Sequence, residues 1–218
     1  MVLNKRRSSA TAKKTNLVVD KNPESIISEQ FRTIRTNIHF LKGDKKESIL
    51  LITSPGKGEG KSTIAANIAV SMTQQKENIL LIDGNLRNPS VHSLFKLSNT
   101  SGLSDVLTGK ITFEEAVIST GIGNLDIITS GTKPFNPAEL LASPMMKEFL
   151  QTVSPSYDTV LIDSPPLLEV TDTKIMANLC DGVVLVVKKT KTNSESAYQS
   201  KKVLGFAKAQ IIGVILNE

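Results

Sequence analysis

The sequence predicts one α/β domain, a doubly wound and mostly parallel sheet with helices on both faces. Six short segments are apolar at almost every position, which is typical of strands that are covered on both faces. Longer segments with helical character lie between most of them, and an alternation of strand and helix produces parallel neighbours. A chain of 218 residues, 39% of them hydrophobic, is long enough for one substantial core.

The predicted elements follow from these patterns. We expect strands at SILLIT (48–53), ILLID (79–83), LDIIT (125–129), TVLID (159–163), GVVLVV (182–187) and IIGVIL (211–216). We expect helices at 60–75, 138–152, 172–179 and 193–207. Another helix is expected within residues 24–42, where apolar residues recur at spacings of four and three and share one helix face. These residues are Ile27, Phe31, Ile34, Ile38 and Leu41.

The positive charge of the chain is concentrated at its N-terminus. The formal net charge is +5, and residues 1–21 carry Asp20 against six basic residues, so the rest of the chain is neutral. We therefore divide the chain into a basic arm (1–22), expected to be disordered because it has few apolar residues, and a folded domain (23–218). The arm is either a solvated tail or a segment attracted to an anionic membrane surface. A neutral body with 4% aromatic residues argues against nucleic acid as a partner.

Two further features bear on location. No apolar run approaches the roughly 20 residues of a membrane-spanning helix, and no apolar segment of a secretory signal follows the basic N-terminus. We therefore expect a cytoplasmic protein. The single cysteine, Cys180, cannot form an internal disulfide and is expected to be a small buried residue.

The segment GKGEGKST (56–63) predicts a nucleotide site, because it follows a predicted strand and opens a predicted helix. Glycines let successive main-chain amides turn toward one anion, and the helix N-terminus adds partial positive charge. A lysine then reaches the outer phosphates and a hydroxyl is available to Mg²⁺. We interpret the segment as the second half of a P-loop, since Pro55 stands where the strict motif has its first glycine. The predicted nucleotide-binding residues are Gly58, Glu59, Gly60, Lys61, Ser62 and Thr63.

Two aspartates end predicted strands. Asp83 ends ILLID and Asp163 ends TVLID. Because ligands of open α/β sheets bind at the carboxyl ends of the strands, we expect both carboxylates near the Mg²⁺ that Ser62 would hold. The sequence therefore predicts a nucleotide site with a metal, although strand-terminal aspartates also serve as simple turn formers.

Together these motifs resemble the bacterial tyrosine kinases of capsule and exopolysaccharide systems. ILLIDGNLRNP (79–89) looks like the Walker A′ motif of that family, and VLIDSPP (160–166) looks like its Walker B motif. EQFRTIR (29–35) carries Glu29, Arg32 and Arg35 at the spacing of the family's oligomerisation motif. The resemblance runs from about residue 23 to the end, and it implies a P-loop NTPase fold similar to that of MinD and the partition ATPases.

The resemblance implies an ATP-dependent protein-tyrosine kinase that regulates polysaccharide synthesis and export, with ATP and Mg²⁺ as cofactors. It implies that Lys61 stabilises the phosphates, and that Ser62 and Asp163 place the metal. Asp83 would polarise the attacking phenol or bind the metal itself. Asn217, after the last predicted strand, stands where related ATPases contact adenine.

The resemblance also implies partners. A membrane-anchored activator protein would supply a cytoplasmic segment and hold the kinase at the inner face of the plasma membrane. Protein tyrosine substrates and a tyrosine phosphatase would act with it. A ring of identical subunits would assemble through Glu29, Arg32 and Arg35.

Departures from the family pattern leave two alternatives open. Asn85 stands where the family usually has a second aspartate, and the only tyrosines are Tyr157 and Tyr198 instead of a terminal cluster. One alternative is a MinD/ParA-like ATPase switch, which usually has an extra lysine where this chain has Gly56. The other is a non-catalytic nucleotide-binding regulator with a decayed kinase site. Arg87 is interpreted as a phosphate contact, a partner of an acidic neighbour, or a solvated surface residue.

Overall fold

The computed structural model describes residues 17–43, 45 and 47–218, and within them it shows one seven-stranded sheet. The strands are β1 (Ile49–Thr53), β2 (Ile79–Asp83), β3 (Ile118–Ser119), β4 (Leu125–Ile128), β5 (Thr159–Asp163), β6 (Gly182–Lys188) and β7 (Ile211–Asn217). Their order is β3-β4-β2-β5-β1-β6-β7, and every pair is parallel except β3 with β4. All six predicted strands are confirmed within two residues at each end, and β3 is an additional edge strand.

Helices cover both faces of the sheet. They are α1 (Val18–Lys21), α2 (Ile26–Lys42), α3 (Lys61–Thr73), α4 (Val91–Phe95), α5 (Leu103–Leu107), α6 (Phe113–Ala116), α7 (Pro137–Ala142), α8 (Pro144–Val153), α9 (Asp172–Ala177) and α10 (Ser194–Phe206). Within the described ranges, none of these helices has the length and apolar character needed to cross a bilayer.

Two hydrophobic cores lie on opposite faces of the sheet. Strand residues alternate between them, so that Ile52 of β1 packs with α1 to α4 and the neighbouring Leu51 packs with α5 and α7 to α10. Both side chains are fully buried. Strands buried on two faces must be apolar at every position, which is the pattern that the sequence shows. The doubly wound α/β class is therefore confirmed.

The folded part begins before the predicted boundary. Leu17 and Val19 are 2% exposed, and the Val19 N–H donates to Asn67 Oδ1 of α3 at 3.1 Å. The prediction of a disordered arm is therefore wrong for residues 17–22, because two apolar side chains are enough to anchor α1 in the first core. Residues 1–16, which carry most of the predicted basic arm, lie outside the described residues.

The predicted apolar face of α2 is only partly buried. Phe31 and Ile38 are 8% and 4% exposed, whereas Ile27 and Leu41, which share the same helix face, are 51% and 57% exposed. Ile27 and Leu41 lie beside open grooves between α2 and the edge strand β7.

Two smaller predictions also need correction. The helix expected at 138–152 is two helices, because Ser143 is extended (φ −66°, ψ 153°) before Pro144, and a residue that precedes proline is driven out of the helical region. Cys180 is half-buried and not fully buried. Its thiol donates to the Met176 carbonyl at 3.1 Å, and burial raises the pKa of that thiol.

Candidate active site

The P-loop connects the end of β1 to the start of α3. Gly58 and Gly60 have φ values of 70° and 90°, in the left-handed region that favours glycine. A Cβ at Gly60 would also clash with the side-chain nitrogen of Asn217. Glycine is therefore required at position 60 for two reasons, the left-handed backbone conformation and the close approach of Asn217 at the end of β7.

The first turn of α3 presents the predicted phosphate-binding side chains. Lys61 and Ser62 are partly exposed, and Lys61 Nζ lies 3.4 Å from Ser62 Oγ. Thr63 follows and is exposed. From Ile64 to Thr73 every residue of α3 is buried, so the helix is fixed in the core and its N-terminus holds this turn rigidly.

Glu59 has a different role from the phosphate contact expected of its position. Its side chain is buried, and Oε1 accepts a hydrogen bond from Thr192 Oγ1 at 2.9 Å. Its main-chain oxygen accepts a hydrogen bond from Asn217 Nδ2 at 2.9 Å. The Glu59 side chain and carbonyl therefore tie the P-loop to the rest of the domain.

Asp83 and Asp163 meet at the carboxyl end of the sheet. They are paired in register on the adjacent strands β2 and β5, and both are completely buried. The positive charge of Lys61 lowers the pKa of each carboxyl, against the larger raising effect of burial. The structure thus brings together the three residues predicted as catalytic.

The carboxylate of Asp83 is held by main-chain amides. Oδ2 accepts hydrogen bonds from the N–H groups of Ser90 at 3.0 Å and Val91 at 2.9 Å, and Oδ1 accepts one from Asn85 N–H at 3.2 Å. These bonds order the loop from residue 84 to the start of α4. They also lower the pKa of Asp83, although burial raises it more.

The carboxylate of Asp163 differs from that of Asp83 in its hydrogen bonding. Among the described residues neither of its carboxylate oxygens has a hydrogen-bond partner, and burial raises its pKa. Unpaired buried carboxylate oxygens beside a lysine and a serine hydroxyl suit a hard divalent cation, which prefers oxygen ligands. The residues present therefore fit Mg²⁺, and Ser62 and Asp163 are the residues that could hold it.

Two residues of the Walker A′ segment have structural partners. Asn85 is buried, and its Oδ1 accepts a hydrogen bond from Asn88 N–H at 3.1 Å. Arg87 donates from Nε and Nη2 to the two carboxylate oxygens of Asp172, each at 2.9 Å, and the Asp172 side chain is fully buried. Of the three interpretations of Arg87, the structure supports the acidic neighbour.

The loop after β6 also contacts the P-loop, which the sequence analysis did not predict. Lys191 Nζ donates to the carbonyl of Lys57, and it lies 3.1 Å from the position that a Cβ of Gly58 would take. On the other side of the P-loop, Lys57 itself is bound by Glu169, through its main-chain N–H at 3.0 Å and its Nζ at 3.2 Å. The basic run around residue 191 was the available signal, but only tertiary structure brings it to the nucleotide site.

The three residues of the predicted oligomerisation motif differ in exposure. Arg32 pairs with Glu29 on the surface of α2, and its Nη2 also donates to the Pro23 carbonyl at 2.5 Å. Arg35 is 8% exposed and donates to the Ser71 carbonyl near the end of α3. In this chain Glu29 and Arg32 are available to a neighbour, whereas Arg35 joins α2 to α3.

The chain is similar to known proteins over most of its length. A family profile described as an AAA domain matches residues 46–205. Tyrosine-protein kinase YwqD of Bacillus subtilis is 46% identical over 217 residues, which cover 100% of this chain and 91% of YwqD. Among solved structures, the kinase domain of Escherichia coli tyrosine kinase ETK has a TM-score of 0.91 at 31% identity, covering 96% of this chain and 82% of that one.

Two other solved structures place the chain more broadly. The chimerical protein CapA2B2 has a TM-score of 0.88 at 40% identity, with 92% of this chain and 88% of that chain covered. MinD of Pyrococcus horikoshii, solved with Mg-ADP, has a TM-score of 0.67 at 26% identity, with 78% and 69% covered. The P-loop fold is thus common to the tyrosine kinases and to MinD. The chain is more similar to the tyrosine kinases, because their TM-scores are higher and the similarity to YwqD extends over the whole of this chain. The chain belongs to the family of bacterial tyrosine-protein kinases with a P-loop nucleotide-binding fold.

Proposed function

We propose that the chain transfers the γ-phosphate of ATP to tyrosine hydroxyl groups of proteins, through Lys61, Ser62, Asp83 and Asp163. The observation that carries these assignments is the unpaired, fully buried carboxylate of Asp163 at the carboxyl end of β5, next to Asp83 and within the field of Lys61. A buried carboxylate without partners is costly, so its retention there is best explained by a cation that binds with the substrate.

The residues of the site divide the work of phosphoryl transfer. The main-chain amides from Gly58 to Ser62 and the N-terminus of α3 bind the phosphates of ATP, and Lys61 stabilises the charge that spreads over the transferred group. Asp83, fixed by three main-chain amides, orients the attacking phenol and accepts its proton. Thr63 lies at the exposed rim of the same turn, where it can contact the phosphates from outside.

Ser62 and Asp163 would hold Mg²⁺. Asp83 is the register partner of Asp163 on the adjacent strand, so its carboxylate could also bind the metal. When bound, the metal neutralises charge on the phosphates of ATP. The Mg-ADP of the MinD structure supports a metal-nucleotide complex in this fold. Asn217, anchored at the P-loop through the Glu59 carbonyl, is the proposed adenine contact.

The alternative of a MinD/ParA-like switch has less support. Lys57, the lysine nearest to the place of the switch-type signature lysine, is displaced from that place by one residue, and its Nζ pairs with Glu169 at 3.2 Å. The alternative of a decayed kinase rests on Asn85, whose amide now closes a local turn with Asn88. Because Asp83 and Asp163 are both present, we favour a working kinase over a regulator without activity.

The setting of the proposed kinase is polysaccharide synthesis and export, in keeping with the capsule and exopolysaccharide kinases that its motifs resemble. A membrane-anchored activator would hold it at the inner face of the plasma membrane, with tyrosine substrates and a phosphatase as further partners. The similarity to the chimerical CapA2B2 supports a partner segment joined to this fold. Ring assembly would use the exposed Glu29 and Arg32.

The test measures phosphotyrosine formed on an added tyrosine-rich polymer, poly(Glu,Tyr), with Mg-ATP and the purified chain. Lys61→Met is the matched variant, because it keeps the length of the side chain and removes the charge. We expect loss of transfer by at least about 100-fold in Lys61→Met. Transfer at the parental rate by that variant would refute the P-loop assignment. ATP turnover without phosphotyrosine would leave the switch or the decayed kinase, which Asn85→Asp distinguishes.

A further inference from the structure

Phe135 is the most exposed large apolar side chain among the residues that the structure describes. Its ring is fully exposed in the loop between β4 and α7, whereas Pro137, two residues later, is buried. Single apolar side chains are common on protein surfaces, so this exposure alone indicates no function. Phe135 is distinguished by the position of its loop and by the contacts that fix the loop at both ends.

The loop is fixed at its start by hydrogen bonds. The Gly131 N–H donates to Asn99 Oδ1 at 3.0 Å, and the Thr132 N–H donates to Asp105 Oδ2 at 3.0 Å. The side chain of Asp105 is buried, so the bond that it accepts is shielded from water. The main chain that leads to Phe135 is therefore held against the body of the domain.

The loop is also fixed at its end. Pro134 and Pro137 restrict the main chain on both sides of Phe135, because the proline ring fixes φ. Pro137 begins α7, and α7 packs against α9. The buried Asp172 of α9 in turn binds Arg87, in the segment that follows β2. A series of contacts thus joins the Phe135 loop to the segment beside the active site.

The order of the strands places this loop beside the two buried aspartates. Among the neighbouring strands β4-β2-β5-β1, Asp83 ends β2, Asp163 ends β5, and the P-loop follows β1. The loop with Phe135 follows β4, whose Ile128 is the register partner of Ile82 in β2. These four strands are parallel, so their carboxyl ends lie at one edge of the sheet. The loop therefore starts on the far side of the aspartates from the P-loop.

Phosphoryl transfer requires the acceptor to approach from that side. The attacking oxygen and the leaving oxygen lie roughly in line through the transferred phosphorus. ADP would remain on the P-loop at the end of β1, so the phenol would reach the γ-phosphate from the direction of β2 and β4. The polypeptide that carries the phenol would then pass over the loop after β4.

We infer that this loop, residues 130–136, binds the polypeptide segment that carries the target tyrosine, and that Phe135 packs against an apolar side chain of that segment. The inference rests on the proposed function and deepens it, since it names how the same site would recognise its acceptor. A fully exposed aromatic ring gains affinity when it is covered, because its apolar surface is removed from water. Phe135 therefore contributes to binding of the acceptor and not to the chemical step.

The charge of the loop indicates an acidic acceptor. Lys133 is exposed two residues before Phe135, and residues 130–136 contain neither Asp nor Glu. Acidic residues beside the target tyrosine would pair with Lys133, and an apolar residue a few positions away would contact Phe135. The substrate class is thus a polypeptide in which the tyrosine is flanked by acidic residues and by one apolar residue.

The test uses synthetic acceptor peptides and the full chain. The parent peptide has one tyrosine with four glutamates on each side, and each variant peptide has leucine at one of the flanking positions. Steady-state kinetics with Mg-ATP gives kcat and KM for phosphotyrosine formation on each peptide. We expect leucine at one or two positions to lower the peptide KM by about tenfold. Phe135→Ala should remove that gain, while kcat and the KM for ATP stay unchanged.

Matched controls separate this contact from general effects of the surface. Phe206→Ala removes another exposed phenylalanine, on α10, and should leave the KM of every peptide unchanged. Lys133→Gln should raise the KM of the parent peptide by about threefold, whereas Lys202→Gln, at an exposed lysine of α10, should not. Thermal melting checks that the four variants are folded.

Three results would overturn the inference while leaving the proposed function intact. They are a parental chain with no preference for any leucine peptide, a parental KM in Phe135→Ala for all peptides, and an equal rise of KM in Phe135→Ala and Phe206→Ala. A loss of kcat at unchanged KM in Phe135→Ala would also contradict it, because the ring would then act in the chemical step. Absence of phosphotyrosine on every peptide with the parental chain would instead refute the proposed function, and the inference would fall with it.

Discussion

Asp83 and Asp163 lie opposite each other on adjacent strands, and among residues 17–43, 45 and 47–218 main-chain amides bind Asp83 but not Asp163. Main-chain amides of the loop after β2 bind the carboxylate of Asp83. Neither oxygen of Asp163 has a partner among the residues that the structure describes. This asymmetry divides their work, because a fixed carboxylate can orient a substrate and an unpaired one is available to a cation. The following predictions develop that division.

Replacing Asp163 with Asn should stabilise the protein in the absence of nucleotide and metal while abolishing phosphate transfer. Burial raises the pKa of Asp163 to about 7, so the folded state disfavours the ionised form. The resulting cost is absent below about pH 4, grows as the pH rises toward 7, and is fully present above it. At pH 8 we expect the free energy of unfolding of Asp163→Asn to exceed the parental value by about 2 to 4 kcal/mol. Urea unfolding at pH 5 and pH 8 measures the difference, and equal stabilities at pH 8 would contradict it.

Binding of Mg-ATP should strengthen as the pH rises from 6 to 8. The metal requires an ionised carboxylate, and the raised pKa of Asp163 means that a proton must leave when the metal binds. Calorimetry in buffers of different ionisation enthalpy measures the protons released. ATP without metal is the control, since it should show a weaker dependence on pH, and metal binding without proton release would exclude Asp163 as a ligand.

Asn85→Asp should increase the rate of tyrosine phosphorylation several-fold with little change in ATP affinity. Asp keeps the acceptor oxygen that Asn85 now offers to Asn88 N–H, so the local turn is preserved. The added carboxylate lies beside Asp83 and can share the removal of the phenolic proton. Steady-state kinetics with poly(Glu,Tyr) separates kcat from KM. A silent parental chain that becomes active in this variant would identify a decayed kinase, and an unchanged kcat would show that one carboxylate suffices.

Lys191→Gln should weaken ATP binding by about tenfold, the typical effect of removing one charge-assisted hydrogen bond. Lys191 lies at the Gly58 side of the P-loop, where its charge adds to that of Lys61. Lys189→Gln is the matched control, because Lys189 is in the same loop but pairs with Glu218 at 3.3 Å. Titration with a fluorescent ATP analogue measures both. Equal losses in the two variants would indicate a general effect of loop charge.

Substitution of Arg35 should reduce stability, whereas substitution of Arg32 should mainly reduce assembly. Arg35→Met removes a buried charged donor between α2 and the Ser71 carbonyl, and we expect the free energy of unfolding to fall by about 2 to 3 kcal/mol. Arg32→Met removes a surface pair with Glu29 and should cost less than about 1 kcal/mol. Urea unfolding gives the two values, and light scattering shows whether Arg32→Met reduces assembly. Loss of stability in Arg32→Met as large as in Arg35→Met would refute the distinction.

The fold class could be predicted from the sequence alone, and so could the positions of the P-loop and of the two strand-terminal aspartates. Strands buried on both faces must be apolar throughout, so β1, β2, β5 and β6 could be predicted from the sequence without knowledge of tertiary contacts. The P-loop was readable because phosphate binding needs glycine, lysine and a hydroxyl in one local order. Asp83 and Asp163 were readable as strand ends, because the fold class places ligands at the carboxyl edge of the sheet.

The hydrogen bonding of these residues depends on tertiary contacts that local sequence patterns do not specify. The hydrogen bonds to Asp83 come from a loop whose path local patterns do not specify, and the absence of partners for Asp163 depends on every neighbouring element. Lys191 and Asn217 reach the P-loop from positions more than 130 residues away in the chain. The burial of Arg35 and the exposure of Ile27 and Leu41 likewise depend on how α2 packs against α3 and β7. Periodicity shows which residues share a face, but packing decides what covers that face.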